Sequence, residues 1–202
     1  MLPSFHKLVT RSEKERKLRQ CARAIWFTGL PCSGKTTLAL KLEKELFERG
    51  FLCQVLDGDN VRSGINNNLG FSVSDRMENI RRIAEVSKLF LSSGVITINA
   101  FVSPTEEIRD LAKSIIGERN FIEVFLNPPA EVCETRDVKG MYRKAREGQI
   151  TDFTGVNAPF EIPVNPDLVI DTGSMSVDES ISEILRFIMP AIEYRGLEVE
   201  IG

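Results

Sequence analysis

Histidine is nearly absent from this 202-residue chain: the only one is His6, in a charged N-terminal stretch. Chemistry that turns on an imidazole base, nucleophile partner or metal ligand has almost nothing to work with. The four cysteines, Cys21, Cys32, Cys53 and Cys133, form no C-x-x-C pair and no metal-ligand set, so the expectation is reduced thiols in a cytoplasmic protein. No excess of positive charge exists either. A net charge of -3 gives no bulk basic field and argues against a nucleic-acid partner. No apolar run approaches the length of a membrane span and no signal peptide is visible, which argues against a membrane partner. What the chain does have is 42% hydrophobic residues, enough over this length for one full-sized core.

The first 22 residues read as an arm apart from a single domain over 23–202. Its charged run Arg11 to Arg19 is expected to be a solvated helix or tail rather than a polyanion site. The next segment is more telling. Ala24-Ile25-Trp26-Phe27-Thr28 reads as a buried strand, and Thr37 to Leu42 opens a helix that Gly50 can cap. Between them lies Gly29-Leu30-Pro31-Cys32-Ser33-Gly34-Lys35-Thr36, with the G-x-x-x-x-G-K-[ST] spacing of a phosphate-binding loop. Glycines there let the backbone aim several N–H groups at a phosphate, and the helix adds its positive end. Lys35 supplies a point charge for the outer phosphates, and the Thr36 hydroxyl a ligand for Mg²⁺. A nucleoside triphosphate is the expected ligand. Cys32 is read as a spacer within that loop.

Further along, strands alternate with helices. Strands are expected at 51–56, 95–100, 121–126 and 167–170, and helices at 75–93, 105–116 and, broken near Gly140, 130–146. An irregular stretch follows at 149–166, and Val177, Ile181, Ile184, Leu185 and Ile188 mark a last helix. Five short apolar strands alternating with helices imply an α/β fold: a five-stranded parallel sheet with helices on both faces. Right-handed crossovers bring the strand C-terminal ends, and with them the ligands, to one edge. Strand two ends there in Asp57-Gly58-Asp59, beside the phosphate loop. Such carboxylates can hold Mg²⁺ or take a proton from an attacking hydroxyl, or can merely cap a polar turn. In the long helix, Ile80, Ile83, Ala84, Phe90 and Leu91 form the expected buried stripe, with Arg81, Arg82, Glu85 and Lys88 facing solvent. Arg76 falls in phase with the stripe and Asn79 one turn on. An inward arginine needs an anion, either a substrate shared with Arg62 or an internal carboxylate from Glu78 or Asp75.

The combined set resembles the adenylyl-sulfate kinase family. It comprises Trp26-Phe27-Thr28-Gly29-Leu30 with its loop, Leu56-Asp57-Gly58-Asp59-Asn60-Val61-Arg62, Leu69-Gly70-Phe71-Ser72, Asp75 to Arg82, Phe101-Val102-Ser103-Pro104, Arg136-Asp137-Val138-Lys139-Gly140 and Phe153-Thr154-Gly155-Val156. The resemblance runs from about Ala24 to the C-terminus. It implies a fold like that of nucleoside-monophosphate kinases, with Mg²⁺ as cofactor. The implied reaction moves the γ-phosphoryl of ATP to the 3′-hydroxyl of adenylyl sulfate, giving 3′-phosphoadenylyl sulfate and ADP. By resemblance, residues 29–37 bind ATP, with Thr37 as a second hydroxyl, and Arg136 lies near its base. Lys35 and Asp57 are catalytic, with Thr36 and Asp57 serving the metal. Asp59, Arg62, Arg76, Asn79, Val102 and Ser103 contact the acceptor, Phe71 and Phe153 stack on its adenine, and Lys139 rides a lid at about 136–163. A homodimer and coupling to an ATP sulfurylase are further partner expectations. Thr105-Glu106 and Asn66-Asn67-Asn68 depart from the family's aromatic-basic and more acidic stretches. Two other readings are a kinase of another nucleotide or a sugar, and a nucleotide-dependent switch without turnover.

Overall fold

The structure, a computed structural model, describes residues 8–196; His6 lies outside them. Helix α1 (Arg11–Leu18) precedes strand β1 (Ala24–Thr28), all five residues of which are buried. Burial on both faces marks β1 as central, and the sheet order is β2-β3-β1-β4-β5 with every pairing parallel. The other strands are β2 (Cys53–Asp57), β3 (Ile96–Ala100), β4 (Phe121–Leu126) and β5 (Leu168–Ile170). Register sets the level of the site: Phe27 and Asp57 both pair with Ala100, and Thr28 pairs with Phe125. The loops after β1, β2, β3 and β4 therefore leave the sheet side by side.

Helices α2 (Lys35–Glu48) and α8 (Val177–Ile192) cover one face through Leu38, Leu42, Leu46, Ile181, Ile184 and Ile188. Helices α4 (Val73–Ser92) and α5 (Glu106–Ile116) cover the other through Ile80, Ile83, Ala84, Leu91, Ile108 and Ala112. Trp26 anchors that second layer, its ring 5.5 Å from both Phe101 and Phe121. Each such side chain contributes roughly 1.5–3 kcal/mol by leaving water. The α/β architecture expected from alternation is the one found.

Local differences have physical causes. Strand β2 starts at Cys53, because the Phe51 amide still donates to Leu46 O at the end of α2. Helix α4 starts at Val73, capped by Ser72 accepting from the Asp75 amide. Its buried stripe includes Ser87 and leaves Phe90 half-buried, since Ser87 satisfies Asn99 of β3 (Oγ to Oδ1, 2.7 Å). Arg82 is not simply solvated either: it donates to Glu78, Ile65 O and Asn68. The Asp57–Arg62 turn is a short helix, α3 (Gly58–Ser63), for which Asp57 is the N-cap. The stretch after β4 does break at Gly140, into α6 (Ala130–Arg136) and α7 (Met141–Arg146).

Helix α1 buries no residue, yet its surroundings fasten it. Arg11 donates to Ala22 O (2.6 Å) and Asn120 Oδ1 (3.0 Å), and Glu15 accepts from the Ala22 amide (2.7 Å). Just beyond it, Gln20 is wholly buried at the sheet edge away from the phosphate loop. Its side chain donates to Leu52 O (2.8 Å) and Gly94 O (2.7 Å) and accepts from the Leu52 amide (2.8 Å). It thus closes the Leu52 amide and the Gly94 carbonyl just ahead of β2 and β3, and adds a second donor to Leu52 O, which also accepts from the Ile96 amide (3.2 Å). Gln20→Ala strands these buried groups and should lower the unfolding free energy by about 2–4 kcal/mol in urea titrations, with kcat changed less than about twofold. A stability loss below about 1 kcal/mol would show that water replaces the glutamine without cost.

Candidate active site

The loop after β1 turns through Gly29 (φ 149°), Cys32 (φ 61°) and Gly34 (φ 100°), so three of its residues sit where an ordinary side chain is strained. Helix α2 then begins at Lys35 with no side-chain cap on its first amides. Those N–H groups are left for an anion. Lys35 is buried, and its ammonium donates to Gly29 O (2.9 Å), Leu30 O (2.7 Å) and Ser33 Oγ (3.2 Å). Burial lowers its pKa to about 8, partly offset by nearby Cys133, Cys32 and Asp57.

Asp57, itself buried, works in two directions. Its Oδ1 accepts from the Asp59 amide (3.0 Å) and its Oδ2 from Thr36 Oγ1 (2.7 Å). The capping and the metal-serving readings of this aspartate are thus compatible, one oxygen for each. Thr36 and Asp57 offer a hydroxyl and a carboxylate side by side, a donor set suited to Mg²⁺ that keeps water and phosphate oxygens as its other ligands. Among the described residues no cluster of three or more His, Cys, Asp or Glu could hold a metal alone. Asp59 is exposed and ion-paired with Lys139, which joins the segment after α6 to the start of α3.

Arg62, Phe71, Arg76 and Asn79 converge at the start of α4. The Arg62 guanidinium lies 4.4 Å from the Phe71 ring centroid and that of Arg76 5.9 Å. Neither arginine has a carboxylate within 4 Å among the described residues, so the internal salt bridge to Glu78 or Asp75 is not made. Glu78 pairs with Arg81 and Arg82 instead, and Asp75 with Ser72. Arg62 donates to Leu69 O (3.1 Å) and Gly70 O (2.8 Å). Arg76 reaches Phe71 O (2.9 Å), Thr154 Oγ1 (3.0 Å) and Asp152 O. Both have lowered pKa values, chiefly through burial, with Arg76 adding repulsion at Arg62. Phe153 is half-buried edge-on to Tyr142, centroids 5.0 Å apart, while Phe71 is exposed under Arg62. Each of the two phenylalanines has a different neighbour.

Val102 and Ser103 form the loop after β3. Val102 O accepts from Thr28 Oγ1 (2.8 Å), and buried Ser103 (φ 44°) accepts from Trp26 Nε1 (3.0 Å) on Oγ and from Arg109 on its carbonyl (2.9 Å). Arg136 donates to Thr172 O (2.5 Å), and Thr172 Oγ1 in turn donates to Ser33 O (2.7 Å). This holds Arg136 at the rim of the phosphate loop. Sequence reasoning missed Thr172, Thr154 and Tyr142. The Tyr142 hydroxyl, with its pKa raised by burial, donates to Pro31 O (3.1 Å). An open cavity of about 650 Å³ adjoins the loop at Leu30, but its walls of Phe125–Ala130 and Gly155–Phe160 with Ile162 contain no other predicted residue.

Residues 21–171 match the family model described as adenylylsulphate kinase. The chain belongs to the adenylyl-sulfate kinase family. An adenylyl-sulfate kinase of Bacteroides thetaiotaomicron is 59% identical over 191 residues, 95% of each chain. The Mycobacterium tuberculosis APS kinase CysC, solved with AMPPNP and APS, superposes with a TM-score of 0.81 at 42% identity, covering 83% of this chain and 98% of that one. A hexameric APS kinase from Thiobacillus denitrificans gives 0.64 at 27% identity over 91% of this chain and 32% of that one.

The Lys35 environment yields a proton-linkage prediction. With its pKa lowered to about 8, Lys35 is only partly protonated at pH 8, and a polyphosphate beside it would raise that pKa. Binding of ATP at pH 8 should take up as much as about half a proton, measured by calorimetry in buffers of different ionisation heat. Lys35→Arg, charged throughout, should abolish the uptake; an unchanged uptake would place the titrating group elsewhere.

Proposed function

We propose that this protein is an adenylyl-sulfate kinase, moving the γ-phosphoryl of ATP to the 3′-hydroxyl of adenylyl sulfate. The observation that carries the acceptor assignment is the pair Arg62 and Arg76, two half-buried cations at Phe71 with no carboxylate partner among the described residues. Adenylyl sulfate brings a phosphate and a sulfate together and so answers two guanidiniums. On this reading the 29–37 loop cradles the ATP phosphates, and Lys35 leaves the Gly29 and Leu30 carbonyls to follow the migrating phosphoryl. Thr36 and Asp57 would hold Mg²⁺, whose charge offsets that of the phosphate oxygens. The carboxylate of Asp57 accepts the proton of the attacking hydroxyl or orients the water that does. Arg76 and Arg62 give up carbonyls for the phosphosulfate, with Asn79, Asp59, Val102 and Ser103 beside them. Phe71 and Phe153 stack on the acceptor adenine, and Arg136 lies by the ATP base.

The segment 136–163 serves as the lid. Among its contacts to the body, Lys139 to Asp59 and Arg76 to Asp152 O and Thr154 involve the residues assigned to the acceptor. Lid closure and acceptor binding are thereby linked. A cytoplasmic setting, where ATP is at hand, and a supply of adenylyl sulfate from an ATP sulfurylase complete the reading. A homodimer is the assembly proposed.

Coupled ADP release separates the alternatives. Adenylyl sulfate should support turnover at least about 100-fold better in kcat/KM than AMP or gluconate, since neither carries the second anion. Equal use of gluconate would indicate a sugar kinase, and no turnover with any acceptor a switch. Arg76→Ala should lower kcat/KM for adenylyl sulfate by about 30-fold or more while ATP affinity barely changes. Equal damage to both substrates would make the arginine structural. Asp57→Asn should lower kcat by about 10²–10⁴, leaving nucleotide affinity within a few-fold. Near-normal turnover of that variant would remove the acid from the mechanism.

A further inference from the structure

Asn66 has no role in the reaction as described, yet its side chain is wholly buried against Asn79, which is only 5% exposed. Asn66 Nδ2 donates to Asn79 Oδ1 at 2.9 Å. The orientation of the Asn66 amide is dictated from its other side. Arg82 Nη1 stands 3.5 Å from Asn66 Oδ1, and Arg82 is pinned by Glu78 (2.8 Å), Ile65 O (3.1 Å) and Asn68 Oδ1 (2.8 Å). A guanidinium only donates, so the amide atom facing it is the oxygen and the one facing Asn79 the nitrogen. Asn79 must then turn Oδ1 toward Asn66. Its own Nδ2 is left without a hydrogen bond among the described residues. The backbone of Asn66 is fixed as well, donating to Val61 O (2.9 Å) and accepting from the Leu69 amide (3.0 Å), which ties it to the helix that carries Arg62.

We propose that Asn66 is a positioning residue: with Arg82 behind it, Asn66 locks the Asn79 amide so that Nδ2, not Oδ1, faces the phosphosulfate of the acceptor. The inference rests on the assignment of Asn79 to adenylyl sulfate made above. An unlocked amide has two faces of opposite polarity. Its oxygen turned toward an anion repels it, whereas its nitrogen donates to it. The chain Glu78, Arg82, Asn66, Asn79 fixes that polarity within the protein, before any ligand arrives.

The test exploits an isosteric change that reverses the polarity. In Asn66→Asp the introduced carboxylate only accepts, so it draws Asn79 Nδ2 to itself and turns Oδ1 to the acceptor. At pH 8 the KM for adenylyl sulfate should rise about 10-fold or more, with kcat and the KM for ATP within about threefold. Asn66→Ala, which frees the amide without reversing it, should raise that KM less than Asn66→Asp does. A packing role predicts the opposite order, because alanine leaves a cavity and aspartate does not. The inference is overturned if alanine is the more damaging or if the KM for ATP moves equally. Should Asn66→Asp not fold by thermal melt, Arg82→Met decides: a rise of about threefold or more in the acceptor KM alone supports the lock, and no rise overturns it. Asn79→Ala separates the two levels. An unchanged acceptor KM there would refute the Asn79 contact itself. A raised one, with no effect of Asn66→Asp, would refute only the lock.

Discussion

A β-carbon at residue 29 would stand 2.6 Å from the Leu126 carbonyl oxygen and 2.8 Å from Ser33 Oγ. That approach is open only to glycine, and at φ 149° only glycine takes it without strain. The phosphate loop thus leaves β1 pressed against the end of β4, and its first amide lies 3.5 Å from Val102 O in the loop after β3. Three strand ends are locked to one another by a single residue. The level of Asp57 follows, because β2 pairs with β3 in the register that β1 also uses. So does the 2.7 Å contact from Thr36 to Asp57, which joins the first turn of α2 to the tip of β2.

The cations at this sheet edge rest on neutral acceptors of the protein. Lys35 rests on two carbonyls of its own loop, Arg62 on Leu69 O and Gly70 O, and Arg76 on Phe71 O and Asp152 O. A buried cation with nothing to hold costs several kcal/mol, so these contacts keep the empty fold stable. They are neutral acceptors, weaker partners than charged oxygens. On the roles proposed for them, binding would exchange one set for the other, and the net gain would be the difference between a carbonyl and an anion rather than a whole hydrogen bond. Discrimination among acceptors then rests on how many of those exchanges a ligand completes.

Local patterns were the legible part. The loop spacing, the alternation and the helix phases located the strands to within about two residues, and they brought Arg76 inward on the phase of α4 alone. What stayed hidden was long-range pairing. Phe90 looked like the natural core residue, but a buried asparagine on β3 called for a hydroxyl opposite it, and Ser87 supplies one. Arg82 looked solvated, because its partners Ile65 and Asn68 come from a loop whose path the helix phase does not encode. Tyr142 and Thr172 are set against the phosphate loop from more than 100 residues away in sequence, with no spacing to announce them. The cap reading of Asp57 did not exclude the other, because a carboxylate has two oxygens: one caps α3 and the other accepts from Thr36.

Charge on the whole molecule and charge at the site have opposite signs. The chain carries a net -3, yet Lys35, Arg62, Arg76, Arg136 and Lys139 gather around one sheet edge. At physiological ionic strength fields decay over about 8 Å, so an approaching polyanion meets the local cations and not the distant surface carboxylates. Of these five, only Lys139 has a carboxylate within 4 Å among the described residues, and its partner, Asp59, is exposed. The ion pair in open solvent is the one cheap to break, worth at most about 1 kcal/mol. Four of these cations are therefore kept free of carboxylates among the described residues, and the one ion pair lies in open solvent, between the segment after α6 and the start of α3. That division lets a protein of net negative charge bind two polyanions without unmaking any buried ion pair to do so.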